Sequence, residues 1–254
     1  MKLFFENQNA KVYKADCLDF LRSLPDESVD LITTDPAYSG MNNKLNFGSG
    51  RIVGKYQTKE NEKWFEEFKD DPETFICFLE ECYRVLKKSR HIYIMFDSFS
   101  LLSLAPLMRD IFEVKNVVVW DKVNIGMGHY FRRRHELIVF ASKGKRKLNS
   151  RSIPDIWTHK RITNAAYPTQ KPVEVFENMV KASADKKYVI CDPFLGSGSA
   201  AMAALKNDCI FIGADISAKA CGISAKRIEH FDKNGFDFQP KNKQKSKTQR
   251  YSKK

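Results

Sequence analysis

The stretch Tyr188-Val189-Ile190-Cys191-Asp192-Pro193-Phe194-Leu195-Gly196-Ser197-Gly198-Ser199 decides how this chain folds. Its first five residues read as a short buried strand. Phe194 to Gly198 form a glycine turn, and Ser199 to about Lys206 read as a helix. Cys209 to Ala214 is the next strand, and a helix from about Ser217 to His230 follows it. Strand, turn, helix and strand in that order make a βαβ unit. Glycine lets the backbone turn sharply and approach a ligand closely. Asp215 closes the second strand, where an acid roughly 20 residues beyond such a turn can accept hydrogen bonds from ribose hydroxyls. The plainer reading of Asp215 is an N-cap for the following helix. The G-x-G-x-x-G pattern is incomplete after Gly198, and no Gly-Lys-Ser/Thr follows, so neither a nicotinamide site nor a P-loop is indicated. The turn reads as a cradle for some other nucleotide-like cofactor.

Working outward, Val29 to Thr34 is a second buried strand, and it ends at Asp35-Pro36-Ala37-Tyr38. Residues 39–63 are rich in Gly, Asn and Lys with weak periodicity and read as a loop longer than a compact domain carries without a use. Asp71 and Pro72 look like an N-cap and first helical residue. Phe75, Ile76, Leu79, Cys82, Val85 and Leu86 then recur at helical spacing. His91 to Phe96, Val117 to Trp120 and Glu136 to Ser142 are strand-like. Residues 143–166 are basic and irregular, and Pro172 opens a helix running to about Ala184. Alternating strands and helices predict an α/β fold with a doubly wound, mostly parallel Rossmann-like sheet.

The 254 residues suffice for one large domain. Lys and Arg number 43 against 31 Asp and Glu, a net charge of +12 that favours a polyanionic partner. No apolar run is long enough to span a bilayer, and the N-terminus lacks the apolar core of a signal peptide. Cys17, Cys77, Cys82, Cys191, Cys209 and Cys221 form no C-x-x-C pair and mostly sit in apolar runs, as expected of buried thiols in a reducing cytoplasm. Cysteine and histidine do not cluster at ligand spacing, so no metal is expected. The tail from Pro240 to Lys254 holds seven Lys or Arg and no acid, and is expected to be disordered.

Asp35-Pro36-Ala37-Tyr38 presents a carboxylate, a backbone carbonyl and an aromatic ring. Taken alone it is an ordinary turn, since aspartate starts turns and proline fixes the next dihedral. The same groups also suit an exocyclic amine on a flat base. The carboxylate and the Pro36 carbonyl accept the amine hydrogens, and Tyr38 offers a stacking face.

Taken together, Asp35-Pro36-Ala37-Tyr38 and Asp192-Pro193-Phe194-Leu195-Gly196-Ser197-Gly198-Ser199 resemble motifs of the S-adenosylmethionine-dependent amino-DNA methyltransferases. Their order resembles the permuted branch, in which the catalytic half precedes the cofactor half. Asp16-Cys17-Leu18-Asp19-Phe20-Leu21, Trp120-Asp121-Lys122, Arg134-His135-Glu136-Leu137-Ile138 and Pro168-Thr169-Gln170-Lys171-Pro172 extend the resemblance over about residues 11–230.

The resemblance implies a seven-stranded sheet with helices on both faces and S-adenosylmethionine as cofactor. It implies one domain over residues 1–238: a catalytic half (11–142), a small recognition insert (143–166) and a cofactor half (167–230), before a tail at 239–254. Asp35, Pro36 and Tyr38 are the implied catalytic residues. Asp16, Cys17, Thr169, Lys171, Asp192, Phe194, Gly196, Ser197, Gly198 and Asp215 are the implied cofactor-binding residues. Asp16 would meet the adenine end of the cofactor; its plainer reading is a helix N-cap. Arg132, Arg133 and Arg134, with His129 and Tyr130 beside Gly126 and Gly128, would contact phosphates of double-stranded DNA; the alternative is a solvated turn. Members of this branch often dimerise. No Pro-Cys dipeptide is present, which separates the chain from the carbon-5 cytosine enzymes.

Family members with Asp-Pro-Pro-Tyr typically methylate adenine N6, and those with Ser-Pro-Pro-Tyr cytosine N4. Asp35 therefore points to adenine, with cytosine N4 as the neighbouring reading. Ala37 stands where the second proline is usual. A nucleic-acid-binding subunit without turnover is the reading from another class, and the intact Asp35, Tyr38 and glycine turn weigh against it.

Overall fold

The computed structural model describes residues 1–38, 68–69, 71–126, 130–163, 165, 167 and 169–238. The expected 39–63 loop, the tail, Gly128, His129 and Pro168 lie outside the described residues. The strands are β1 (Lys2–Glu6), β2 (Ala10–Lys14), β3 (Val29–Thr34), β4 (Leu86–Phe96), β5 (Glu113–Asp121), β6 (His135–Lys143), β7 (Ile156–Thr158), β8 (Val189–Asp192) and β9 (Ile210–Asp215). The α-helices are α1 (Cys17–Ser23), α2 (Pro72–Val85), α3 (Ser98–Ser103), α4 (Val173–Ser183), α5 (Ser199–Lys206) and α6 (Ala218–Asn234), and a 3-10 turn spans Ala105–Asp110.

Local chemistry starts and stops these elements. Asp71 accepts hydrogen bonds from the Thr74 backbone N–H (3.0 Å) and hydroxyl (2.9 Å), and Pro72 opens α2 with its dihedral preset. The Thr74 N–H lowers the Asp71 pKa to about 2. Phe75, Phe78, Leu79, Cys82 and Val85 then form the buried stripe of α2. Leu86, which continues the helical spacing, instead turns extended after its N–H caps the Cys82 carbonyl, and it opens β4.

The sheet has nine strands among the described residues, in the order β1-β2-β9-β8-β3-β4-β6-β5-β7. The seven-strand expectation is corrected at both edges. β1 adds an antiparallel hairpin to β2, and the three-residue β7 pairs parallel to β5. Short edge strands leave little periodic signal. The five strands from β2 to β4 are parallel to one another, and β6 runs antiparallel between β4 and β5.

Alternation along the strands sends side chains to two cores. Leu31, Tyr93, Met95, Ile138 and Phe140 face α4, α5 and α6. Ile32, Ile92, Ile94, Phe96, Val139 and Ala141 face α1, α2 and the 3-10 turn. The doubly wound arrangement therefore follows from period-two burial on both faces. Asp30 pins the register by accepting the Val189 N–H at 3.0 Å while pairing with Lys87 and Arg90.

The end of α6 is tied to the glycine turn. Arg227 is fully buried; Nη1 donates to the Ser197 carbonyl at 2.7 Å. Nε and Nη2 donate to the two carboxylate oxygens of Asp237 at 3.0 and 2.7 Å. Arg227→Met leaves the Asp237 charge and the Ser197 carbonyl without their donor, at a cost of about 3–5 kcal/mol. At about 2–4 °C per kcal/mol for a domain of this size, the melting midpoint should fall by roughly 10 °C. Calorimetry showing a shift under 2 °C would contradict that assignment.

Candidate active site

β3 and β8 are adjacent and parallel, with Leu31 opposite Ile190 and Ile32 opposite Cys191. The helix after β3 packs on one face of the sheet, and the helix after β8 packs on the other. Two connections that leave in opposite directions open a crevice at the carboxyl ends of the strands, where α/β sheets bind ligands. Asp35 to Tyr38 leave β3 at that point, and Pro193 to Gly198 leave β8. The Thr34 hydroxyl donates to Asp192 Oδ1 at 2.8 Å, joining the two turns across 158 residues of sequence. Burial raises the Asp192 pKa to about 7, against the Thr34 and Phe194 hydrogen bonds that favour its charged form.

The glycine turn is held from below by its neighbours. The Gly196 N–H donates to Asp215 Oδ2 and the Ser217 N–H to Asp215 Oδ1, both at 2.8 Å. Asp215 thus braces the turn, while Ser217 caps α6 through the Ala220 N–H. Burial raises the Asp215 pKa, opposed by those two backbone donors. The Ser224 hydroxyl donates to the Gly196 carbonyl at 2.9 Å. Gly198 sits at φ +81°, and a Cβ there would lie 2.8 Å from Ser224 Oγ. The ring of buried Tyr167 lies beside Gly196. Gln170 is also buried, yet neither atom of its amide has a hydrogen-bond partner among the described residues. A buried amide with all its capacity unspent is costly unless something polar meets it.

At the neighbouring turn, the Asp35 side chain is 28 % exposed and ion-paired through Oδ2 with Lys171. Lys171 Nζ also lies 3.5 Å from Glu136 Oε2, and Glu136 Oε1 accepts from Lys122 at 3.2 Å. Burial raises the Asp35 pKa; Lys171 pulls it down, and Glu136 and Asp97 push it further up. Burial works against the Lys171 ammonium, but the carboxylates of Asp35 and Glu136 outweigh it and raise its pKa. Burial likewise raises the Glu136 pKa, but Lys171 and Lys122 bring it below the usual value. The Pro36 carbonyl accepts the Tyr38 N–H at 3.1 Å. Tyr38 is only 8 % exposed, one ring face stacked on Phe96 at 5.4 Å, so the stacking surface foreseen for it is largely covered.

Other sequence-predicted residues take plainer positions. Asp16 caps α1, accepting the Leu18 N–H at 2.8 Å, beside the Asp215 strand end that receives Ala15. Cys17 is buried, and its thiol is pushed up to about 12 by burial. Asp192 points to Thr34 and the Phe194 N–H, and Phe194 packs edge-on against Phe68 and Phe78. Thr169 is exposed. Lys171 turns to the catalytic turn, while its carbonyl accepts the Ser199 hydroxyl at 2.7 Å. Arg134 departs from the phosphate reading: Nε and Nη2 grip the Asp121 carboxylate at 2.7 and 2.6 Å. Arg133 lies over the Phe99 ring at 5.1 Å, and exposed Arg132 donates to the Gly126 carbonyl. Tyr130 and Phe131 beside them are almost wholly exposed. Among the described residues no group of three or more His, Cys, Asp or Glu is placed to hold a metal, and no helix is long and apolar enough to cross a membrane.

Glu136, Thr34, Tyr167 and Gln170 were not singled out by motif reading. Gln170 and Glu136 carried a signal, since each lies inside a segment that extends the family resemblance, 168–172 and 134–138. Thr34 reaches the site through strand pairing and Tyr167 through the fold of the segment over the glycine turn, neither of which one sequence displays.

The chain is similar to known proteins over most of its length. The model of a family described as DNA methylase matches residues 29–226. The Type II methyltransferase M2.MboI of Moraxella bovis is 26 % identical, over 89 % of this chain and 91 % of that protein. The DNA adenine methyltransferase YhdJ of Escherichia coli is 24 % identical, over 89 % of this chain and 84 % of that protein. Among solved structures, the M1.HpyAVI–SAM complex superposes with TM-score 0.62 at 19 % identity, covering 86 % of this chain and 99 % of that one. The cytosine-N4-specific PvuII DNA methyltransferase superposes with TM-score 0.67 at 15 % identity, covering 88 % of each.

Proposed function

The chain belongs to the N6/N4 DNA methylase family and is a DNA methyltransferase, and from that premise we propose that it methylates adenine N6 in double-stranded DNA with S-adenosylmethionine as donor. The observation that supports this reading is the Thr34–Asp192 hydrogen bond, which ties the strand end before Asp35-Pro36-Ala37-Tyr38 to the strand end before the glycine turn.

The residues around the glycine turn fit the cofactor. Gly196 and Gly198 allow a close backbone approach, Asp215 and Asp16 bring carboxylates to neighbouring strand ends, and Gln170 has a buried amide to spare. Bound S-adenosylmethionine supplies an electrophilic methyl group. The protein's own part is to hold and align the amine. The Asp35 carboxylate accepts one amine hydrogen, and the Pro36 carbonyl, which has a second lone pair beyond the Tyr38 bond, accepts the other. Both interactions raise electron density on the nitrogen. When that nitrogen gains a methyl group it must lose a proton, and the Asp35 carboxylate stands in place to take it.

DNA approaches over the rim that carries Arg132, Arg133, Tyr130 and Phe131. Phosphate contacts there position the duplex, and the target base leaves the stack to reach Asp35. Arg134, committed to Asp121, shapes the rim. The net charge of +12 adds affinity that weakens with salt.

Asp35, at the first position of the motif, supports adenine over cytosine, as does the resemblance to an adenine-specific relative. Enzymatic digestion of methylated DNA followed by mass spectrometry should yield N6-methyldeoxyadenosine. N4-methyldeoxycytidine as the sole product would overturn the adenine assignment and keep the site.

A further inference from the structure

We infer that Lys171 is a positioning residue for the Asp35 carboxylate, clamped between Asp35 and Glu136, rather than a ligand of the cofactor. The inference rests on the role proposed above for Asp35. Lys171 belongs to the segment that the family resemblance assigns to the methionine part of the cofactor. Its side chain is 15 % exposed and already engaged: Nζ is ion-paired with Asp35 Oδ2 and lies 3.5 Å from Glu136 Oε2.

The surroundings explain why Asp35 needs a cation. Glu136 comes from the start of β6 and Asp97 from the cap of α3, and both add negative potential at Asp35; Asp192, at the end of β8, is itself pushed up by Asp35. Tyr167, on the segment over the glycine turn, also faces Asp35. Lys122 acts one step removed, through Glu136. Burial and these two acids, Glu136 and Asp97, together favour a proton on Asp35. A protonated carboxyl has a hydroxyl donor where the amine needs an acceptor. Lys171 is the cation in direct contact, and it opposes that rise by favouring the carboxylate. Its backbone is fixed independently, since its carbonyl accepts the Ser199 hydroxyl at the start of α5. The segment thus divides its work: Lys171 reaches across to the catalytic turn, and Gln170 retains unspent hydrogen-bonding capacity.

The test measures kcat against pH on duplex DNA, and S-adenosylmethionine Kd by calorimetry, for full-length wild type, Lys171→Met, Lys171→Arg, Glu136→Gln and Asp35→Ala. Lys171→Met should lose about 100-fold or more in kcat at pH 7, keep its Kd within about threefold, and move the acid limb up by about one pH unit or more. Lys171→Arg should recover most of the loss. Glu136→Gln removes a charge that disfavours the Asp35 carboxylate and leaves Lys171 to Asp35 alone, so its acid limb should move down. A Lys171→Met protein with about tenfold weaker cofactor binding and an unmoved acid limb would make Lys171 a cofactor ligand and overturn the inference. If Lys171→Met fails to fold, Glu136→Gln decides: an acid limb that stays or rises is the overturning result. Full turnover by Asp35→Ala would instead remove the proposed role of Asp35, and the Lys171 assignment with it.

Discussion

Asp35→Ala should lose methyl transfer by about a thousandfold while S-adenosylmethionine still binds. A positioned acceptor and proton-taking group contributes on the order of 10²–10⁴ in rate. Two features place the loss in chemistry rather than in the fold. Asp35 lies past the end of β3, and its side chain is partly exposed, so no core packing is removed. The cofactor cradle is braced separately, by Asp215 and Ser224. Single-turnover rates with saturating cofactor measure the effect directly, and a loss under tenfold would remove Asp35 from the reaction. Asn at this position retains an acceptor oxygen but no charge, so it should fall between Ala and wild type. The wild-type pH profile carries the same information. Asp35 must be ionised to accept the amine hydrogens, and burial raises its pKa. Activity should therefore fall with decreasing pH while the medium is still above the ordinary carboxylate range near about 4.

The second large effect is Gly198→Val. The φ of +81° is open to glycine and costs a β-branched residue about 1–3 kcal/mol. The new Cβ would meet Ser224 Oγ at 2.8 Å and Ser224 Cα at 3.2 Å, and overpacking of that kind adds about 1–3 kcal/mol. The strain falls on the Ser224 hydroxyl that holds the Gly196 carbonyl, so the cradle itself deforms. Cofactor affinity should drop by about 30-fold or more, which matches about 2 kcal/mol, and the melting midpoint should fall with it. Gly198→Ala should lose less, and Ser224→Gly alone, which removes the hydroxyl that holds the Gly196 carbonyl without touching the Gly198 dihedral, should lose less again. Calorimetric titration of the three variants ranks the effects of dihedral and contact against that of the lost brace. Unchanged cofactor affinity in Gly198→Val would show that the turn is a structural connection only.

Much of this architecture is legible along the chain because its signals are local. Asp71-Pro72 opens α2 through a cap two to three residues long, and Ser199 to Lys206 follows the glycine turn as a helix for the same kind of reason. Buried strands such as β3 and β8 announce themselves as short clusters of β-branched and other apolar residues, each ending at an aspartate turn. The edge strands β1 and β7 do not, because a three- to five-residue strand half open to water has no pattern that distinguishes it from a loop. Leu86 shows the same limit at a boundary: its apolar side chain suits the helix face and the strand equally, and a backbone turn alone assigns it to β4.

Residue types and their spacing along the chain determined the α/β class, the two turns and the groups each turn presents. Folding decided which partner each charged group acquired. Asp16 took a helix cap, Arg134 took Asp121, and Lys171 took Asp35 with Glu136 behind it. The physical reason is range: caps and turns form between residues two to four apart, whereas a carboxylate's charge state is set by whatever the sheet brings within a few ångströms. Lys171 and Asp35 are 136 residues apart, and only the pairing of β3 with its neighbours makes them meet.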